Sequence, residues 1–516
     1  MVLPPKSTHP KGEEISTSQS LFPVSSSVET FNGRVHIEWD PEAPVTPLGQ
    51  LPFFIQFLKL GERFDPWVKD CPLSYASNNA PEKVDVLGSL FLSILSGHKR
   101  YAHITTLMSD NVSPSLLGMK KVVSEDSARR AVKKIDEGDG VQWLQNHLLS
   151  CCQPLLKESW ILDVDTTVKP LFGHQEDAVK GYNPQKPGRP SHTYHTYMMS
   201  DLRLVLDVEV KPGDQSHSTH SLPGLISLIA RLQEDERPEF IRGDIAWGTD
   251  TVMRELEEVE QPYLFKLKKS KNVLSLIYEA HGQGKWTHVA GGWEAKEARL
   301  QLQGWEDERR VVITRRRLSR DSIIGIESEK EGGQQLALID GPEDIKVFEY
   351  SVLVTDLDGD VVSIFHHYRD RADSENNFDE LKNQWGWSGY TTKDAKSCRL
   401  MSRMIALIYN WWNLYARLAM PGQHHEAITS RPMLLTSVGR QTTQGNQKKI
   451  RITSVHGKTK KLAMAYHRLE SVFSTLKIIA PQLNFGECWR KIIAEIINEF
   501  RPRSDSSESP PIALPT

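Results

Sequence analysis

The chain has 516 residues, 39% of them hydrophobic and 25% charged, with 13 Trp, 13 Tyr and 16 Phe. This composition excludes a disordered or collagen-like chain, and the length predicts two to four domains. The formal net charge of −3 argues, taken alone, against a nucleic-acid partner. No apolar run approaches the roughly 20 residues that cross a bilayer, and the N-terminus lacks the apolar stretch of a secretory signal, so we expect no membrane partner.

Two segments nevertheless concentrate positive charge. Residues 98–134 contain eight Lys or Arg against three Asp or Glu, and residues 395–470 contain 13 against two. Such segregation is typical of proteins that bind a polyanion, although a solvated helix face explains either segment alone. Arg129 and Arg130 in the first segment are candidate DNA contacts.

The predicted elements begin with helices. Residues 1–45 and the tail from residue 501 are rich in Ser, Pro and Glu without periodicity, which predicts flexible ends. From residue 84 to 149 apolar residues recur at helical spacing, and Ser124 and Asp126 are placed to cap the second helix there.

From residue 160 the pattern becomes that of an α/β sheet. The runs WILDVDTT, SHTYHTYMM and RLVLDVEV predict three strands, followed by a helix, the strand FIRGD, a helix and the strand YLFKLKK. Residues 283–366 then alternate apolar and polar positions, including RRVVITRRR and DVVSIFHH, which predicts a mostly β insertion. A helical pattern returns at Ser374 and continues through MSRMIALIYNWWNLYARLAM.

Three acidic residues occupy positions that this layout brings together. Asp165 ends the first strand, Asp244 ends the fourth, and Glu375 opens the helix after the insertion. If the two strands are neighbours, their carboxylates converge at one edge, and a glutamate from a helix completes an oxygen-rich metal site. An Asp after a strand is also frequently a cap or turn residue. Asp163 points the same way as Asp165 and is the alternative on that strand.

The segment YRDRADSENNFDELK adds a second pattern, Y-x2-R-x3-E-x6-K, formed by Tyr368, Arg371, Glu375 and Lys382. If it is one helix, the Arg, Glu and Lys side chains lie along one face. One acid between two cations suits a metal held beside a phosphate chain. A surface ladder of ion pairs explains the Arg–Glu spacing alone.

This segment resembles the Y-R-E-K signature of bacterial insertion-sequence DDE transposases, which have a ribonuclease-H-like catalytic core. LDVDTT resembles their first-aspartate strand and FIRGDIAWG the second. GHQEDAVKGYNPQKPGRPSH resembles the loop after the first strand in one branch, and LFLSILSGHKRYAHITTLMSD the N-terminal helical region of that branch. The similarity covers most of residues 85–420.

The resemblance implies a catalytic triad of Asp165, Asp244 and Glu375 that binds two Mg²⁺ ions, for which Mn²⁺ can substitute. It further implies that Arg371 and Lys382 contact phosphates near the cleaved transposon end and that Tyr368 contacts the same DNA backbone.

Other candidates are less specific. Lys180, Lys186 and Arg189 in the loop after the first strand are candidate DNA contacts or parts of a structural loop. The aromatic that stacks on a flipped base in this family has three candidates, each of which could instead belong to the core: Trp293, Phe348 and Tyr350.

The predicted fold class is an α/β ribonuclease-H-like core with a mostly β insertion, flanked by helical N- and C-terminal regions. Its predicted divisions are a flexible segment (1–45), a helical DNA-binding region (46–155), the first part of the core (156–282), the β insertion (283–366), the second part of the core with the catalytic Glu helix (367–420), a basic helical region (421–500) and a flexible tail (501–516).

The predicted function is a DNA transposase that binds the terminal inverted repeats of its own insertion element. We expect it to cleave the ends by metal-dependent phosphodiester hydrolysis and to join the 3'-OH to target DNA. The expected partners are double-stranded DNA and a second copy of the chain, in a cytoplasmic, nucleoid-associated setting. The alternatives are a catalytically inactive DNA-binding descendant and a nuclease of the same fold without strand transfer.

Overall fold

The computed structural model describes residues 26–40, 42–183, 186–215, 217–318, 347–445, 447–454 and 456–498, without the side chains of Ser26 and residues 372–377. Within these ranges the chain is a mixed α/β protein, as predicted, with one ten-stranded sheet, one three-stranded sheet and one two-stranded sheet. The predicted flexible tail, 501–516, lies outside the described residues, as do residues 1–25. No helix in the described ranges is both long enough and apolar enough to cross a membrane.

The N-terminal part is a hairpin followed by helices. Ser124 caps the helix that follows it, since its side chain accepts a hydrogen bond from the Ser127 amide at 3.2 Å. Asp126 lies inside the first turn of that helix, so its predicted role as a cap is wrong. The elements are β1 (Ser26–Thr30), β2 (Gly33–Ile37), β3 (Val45–Thr46), α1 (Leu51–Leu60), α2 (Phe64–Asp70), α3 (Lys83–Leu95), α4 (Ser113–Leu116), α5 (Glu125–Lys134) and α6 (Glu137–Cys152).

The centre of the large sheet has the predicted succession of strands and helices. The elements are β4 (Ile161–Pro170), β5 (Val179–Lys180), β6 (Pro190–Met199), β7 (Leu204–Pro212), α7 (Ser218–Ala230), β8 (Phe240–Gly243), α8 (Asp250–Glu258), β9 (Tyr263–Lys266) and α9 (Lys271–Gly282). The strand order is β7–β6–β4–β8–β9. β6 is antiparallel to β4 and β7, whereas β4, β8 and β9 are parallel. The first and fourth predicted strands are therefore neighbours.

The predicted β insertion extends this same sheet. Its strands are β10 (Thr287–His288), β11 (Trp293–Leu300), β12 (Arg309–Arg317) and β13 (Phe348–Thr355), and β13 pairs antiparallel with β9. Residues 319–346 of the insertion lie outside the described residues.

The end of the predicted insertion is helical, which corrects the β interpretation of DVVSIFHH. Helix α10 spans Val361–Arg369 and begins after Asp360, whose side chain accepts a hydrogen bond from the Ser363 amide at 2.8 Å. Positions 361, 364, 365 and 368 are apolar and recur at helical spacing. A helix is favoured because the Asp360 cap stabilises its start and its apolar face buries Ile364 and Phe365.

The remaining elements are α11 (Ala372–Asn383), α12 (Ala395–Ala419), α13 (Ala427–Leu434), β14 (Gly439–Gln444), β15 (Gln447–Ile452), α14 (Thr459–Ile479) and α15 (Glu487–Asn498). The region 421–500 thus contains a β-hairpin as well as helices, where the sequence pattern predicts only helices. Helix α12 is buried over nearly its whole length. It covers the edge strand β7, because the Asn410 side chain accepts from the Val205 amide at 2.9 Å and donates to the Val205 carbonyl at 2.7 Å.

Candidate active site

Two carboxylates lie side by side where β4 and β8 stop pairing. Val164 pairs with Gly243 in the parallel ladder, and Asp165 and Asp244 are the next residues on the two strands. Strand β8 ends there, but β4 continues to Pro170. Asp165 therefore lies within its strand, whereas the sequence pattern predicts it at the strand end. The predicted convergence of the two side chains follows from the register of the neighbouring parallel strands.

Asp165 is held by two donors. The Thr166 amide donates to its Oδ1 at 2.7 Å, and Arg371 Nη2 lies 3.1 Å from its Oδ2. Burial raises the pKa of Asp165 to about 6, an effect that Arg371 opposes and Asp244 strengthens. Two carboxylates sharing a buried site repel each other, and a cation relieves that repulsion.

Asp244 begins a turn between β8 and α8. Its Oδ1 accepts a hydrogen bond from the Ala246 amide at 3.0 Å, which fixes the carboxylate at the strand end. Asp244 is only partly buried, so it can reach a ligand from solvent.

The segment from Tyr368 to Lys382 is not one continuous helix but parts of two. α10 ends at Arg369 and α11 begins at Ala372. Between them Asp370 and Arg371 have ψ angles of −11° and −21°, and the Arg371 amide bonds to the carbonyl three residues back, Tyr368, as in a 3₁₀ turn. This tightening separates Tyr368 from the helix that carries Lys382.

Tyr368 and Lys382 both interact electrostatically with Asp165. Burial raises the pKa of Tyr368 to about 12, with Asp244 and Asp165 adding to the rise and Arg371 opposing it. Burial lowers the pKa of Lys382, and Asp165 opposes that shift. Tyr368 of α10 thus interacts with both carboxylates, and Lys382 of α11 interacts with Asp165.

Glu375 lies in α11, four residues after Arg371, but its side chain is outside the described residues. Among the side chains that are described, no three His, Cys, Asp or Glu are grouped so as to hold a metal ion. The donor set of Asp165 and Asp244 nevertheless fits Mg²⁺, which prefers hard oxygen ligands. Arg371 already places a positive charge against one oxygen of Asp165.

One buried arginine that the sequence analysis did not single out organises this site. Arg242 on β8 is fully buried and binds Asp163 with Nε–Oδ1 at 2.6 Å and Nη2–Oδ2 at 2.9 Å. It also donates to Ser200 Oγ at 2.7 Å and to the His367 carbonyl of α10. Asp163, the alternative to Asp165, is thereby a structural residue. The available signal was a basic residue inside the short strand FIRG, two positions before Asp244 and therefore on the same face.

Arg242→Met is expected to destabilise the protein by about 3–5 kcal/mol, because it leaves the Asp163 charge buried without its guanidinium. Urea denaturation measures the effect. The matched control is Arg254→Gln, which breaks an ion pair with Glu306 whose arginine is 43% exposed and should cost no more than about 1 kcal/mol. Equal, small losses of stability in both variants would show that Arg242 does not hold β8, β4 and α10 together.

The predicted contacts in the loop after β4 lie on its surface. Lys186 Nζ and Arg189 Cζ each lie 4.7 Å from the centroid of the Phe172 ring, which is 69% exposed. Lys180 is exposed on β5.

The predicted contacts on α5 differ from each other. Arg129 lies 3.2 Å from Asp126 and 3.7 Å from Glu125 on its own helix, so its charge is partly neutralised. Arg130 is exposed.

The three candidate stacking aromatics differ in burial. Tyr350 is a core residue, 1% exposed, with its hydroxyl 2.7 Å from His281 Nδ1. Phe348 and Trp293 are partly buried, and the Trp293 ring lies 5.7 Å from the ring of Phe365 on α10. Of the three, Trp293 is the aromatic in contact with the helix that carries Tyr368.

Comparison with known proteins gives one family match. A family model described as transposase DDE domain group 1 matches residues 76–473, a range that includes both aspartates and the Y-R-E-K segment. No curated protein matches the chain. Among solved structures, the cryo-EM structure of a piggyBac transposase synaptic complex with hairpin DNA matches over 90% of this chain and 87% of that chain, with 12% identity and a TM-score of 0.37. A score this low does not establish a shared fold.

Proposed function

The chain belongs to the transposase DDE domain group 1 family, and we propose that it cleaves the ends of its own insertion element and joins them to target DNA. The observation that carries this proposal is that Asp165 and Asp244 directly follow the last paired residues of two neighbouring parallel strands and interact with Tyr368, Arg371 and Lys382. Adjacent carboxylates can hold the metal ions that two-metal hydrolysis of a phosphodiester uses.

We assign the β7–β6–β4–β8–β9 part of the sheet to a ribonuclease-H-like core. Three antiparallel strands followed by two parallel ones, with α7 and α8 in the connections, support that assignment. The spacing Y-x2-R-x3-E-x6-K supports membership of the Y-R-E-K group of bacterial insertion sequences. The substrate is double-stranded DNA, bound by a homodimer.

Asp165, Asp244 and Glu375 would hold two Mg²⁺ ions, which supply charge that activates the attacking oxygen and stabilises the leaving oxygen. The Thr166 amide fixes the Asp165 carboxylate, and the Ala246 amide fixes that of Asp244. Both aspartates are thereby oriented before DNA arrives, which lowers the cost of assembling the reacting groups.

Arg371 gains a partner when DNA binds. Its Nη2 lies against Asp165, but its buried Nε has no hydrogen-bond acceptor in the described part of the chain. An arginine fork matches the oxygens of a phosphate, so a phosphate beside Asp165 satisfies the Nε group. Lys382 and Tyr368, whose pKa values both respond to the Asp165 charge, contact the DNA backbone next to Asp165.

The test is cleavage of a duplex that carries the inverted repeats flanking the gene, with Mg²⁺, Mn²⁺, Ca²⁺ or EDTA. Mg²⁺ and Mn²⁺ should support cleavage and joining, whereas Ca²⁺ should support mainly binding, because its coordination is looser and of higher number than this chemistry tolerates. Efficient cleavage in EDTA would contradict the two-metal mechanism.

The same assay separates the alternatives. Cleaved ends without joined products would indicate a nuclease without strand transfer. Specific binding without cleavage under any metal condition would indicate an inactive descendant.

A further inference from the structure

Strands β14 and β15 form a ribbon that stands out from the body of the protein. Six residue pairs join the two strands, about 20 Å of ribbon at the usual rise of a strand. Only Gly439 and Arg440 at its base pair with another strand, β3. Beyond them the Gln441 amide donates to the Pro44 carbonyl at 2.7 Å, and from residue 442 on the described ladder joins β14 and β15 to each other alone.

The ribbon has one fully exposed face. Directly paired residues share a face. Ile450 and Ile452 are half-buried and lie on the face toward the protein. The opposite face carries three pairs, all exposed: Arg440 with Arg451, Thr442 with Lys449, and Gln444 with Gln447.

This exposed face carries uncompensated positive charge. Arg440 and Arg451 lie directly opposite each other, an arrangement that destabilises a sheet. Within the described ranges, neither these arginines nor Lys449 forms an ion pair with a carboxylate. From residue 439 to 461 the chain has seven Lys or Arg and no Asp or Glu. A partner with regularly spaced negative charge would offset this repulsion.

We propose that this ribbon inserts into the major groove of duplex DNA, an inference that rests on the proposed function. The groove is about 12 Å wide and admits a two-stranded ribbon. Arg440 and Arg451 near the base and Lys449 further along the ribbon contact phosphates, whereas the amides of Gln444 and Gln447 at the tip hydrogen-bond base edges. Glutamine is suited to adenine, to which its amide bonds through two atoms.

The ribbon is connected to the candidate active site through α13. Glu380 of α11 accepts from the Ala427 amide at 2.9 Å. Gln384, one turn later, accepts from the Ile428 amide at 2.7 Å, and its carbonyl accepts from Arg431 Nη1 at 2.7 Å. These contacts fix α13, the helix before the ribbon, against α11, the helix that carries Glu375. DNA bound by the ribbon is therefore held in a defined position relative to the catalytic helix.

The test compares duplex binding by the wild-type chain and by Arg440→Gln/Lys449→Gln/Arg451→Gln over a range of salt concentrations. Three lost phosphate contacts should flatten the slope of log affinity against log salt by about 2.7 and weaken binding at 0.1 M salt by roughly 10²-fold or more. The matched control is Arg34→Gln/Lys157→Gln/Arg254→Gln, which removes the same charge from exposed cations already paired with carboxylates. It should retain the wild-type slope.

The tip is tested separately with Gln444→Ala/Gln447→Ala. This variant should keep the wild-type salt slope and its affinity for a scrambled duplex. Its preference for the terminal-repeat duplex over the scrambled one should fall roughly tenfold, as expected for lost base contacts. An unchanged preference would overturn the base-reading role of the tip.

Two outcomes would overturn insertion into the groove: a wild-type slope in the triple variant, or an equal loss of affinity for duplex RNA, whose major groove is too deep and narrow for side chains to read. Cleavage of the ends by the wild-type chain in either case would leave the proposed function standing. Conversely, a ribbon effect on duplex DNA in a chain that never cleaves its ends would refute the proposed function alone.

Discussion

Asp165→Asn, Asp244→Asn and Glu375→Gln are each expected to lower the rate of end cleavage by at least about 10³-fold, since each removes one of the proposed metal ligands, which on this proposal contributes several kcal/mol of transition-state stabilisation. DNA binding should be unchanged or slightly tighter, because each substitution removes a negative charge beside the phosphates. Single-turnover cleavage and equilibrium binding of the same labelled duplex measure the two effects.

The controls are Asp379→Asn and Asp358→Asn, both exposed carboxylates. Asp379 lies on α11 one turn after Glu375, so it reports any general effect of charge on that helix. Full cleavage by one of the three active-site variants would remove that residue from the triad. A loss as large in Asp379→Asn would show that the assay responds to charge near α11 and not to metal ligation.

That Asp165 and Asp244 lie side by side could be predicted from two features: the position of each aspartate in or after its strand, and the order of the strands in the sheet. Each aspartate follows a short apolar run, and the succession of strands and helices makes those two strands neighbours. The extension of the sheet by β10–β13 could not be predicted in the same way, since alternation shows that a segment is a strand but not which edge it joins.

Other features depended on contacts that no short sequence window contains. The apolar residues from Val361 to His366 fit both the two-residue period of a strand and the 3.6-residue period of a helix. The hydrogen bond from the Ser363 amide to the Asp360 side chain caps this segment as a helix. The β14–β15 hairpin has so few apolar residues that its sequence shows no strand or helix periodicity. Its base pairs with β3, almost 400 residues earlier in the chain. Arg242 donates a hydrogen bond to the carbonyl of His367, which lies 125 positions later in the sequence.

Arg371→Ala is expected to weaken binding of the terminal-repeat duplex and of a scrambled duplex alike, by roughly tenfold at 0.1 M salt, and to flatten the salt slope by about one. Lys382→Ala should do the same. Cleavage should fall further in Arg371→Ala, by about 10²–10³-fold, since a cation beside Asp165 also stabilises charge that develops at the phosphate. Arg371→Lys should keep the slope while losing part of the rate, because lysine lacks the fork that binds two oxygens.

The control for these variants is Arg369→Ala. Arg369 is exposed, lies two residues before Arg371, and has its guanidinium 5.9 Å from the ring of Phe365. Its removal changes the net charge equally but should leave both slope and cleavage rate near those of the wild type. Arg371→Ala could instead lower thermal stability while leaving affinity, slope and cleavage unchanged. Its contact with Asp165 would then be an ion pair of the fold, and the phosphate beside the carboxylates would have to be bound by Lys382 and Tyr368 alone.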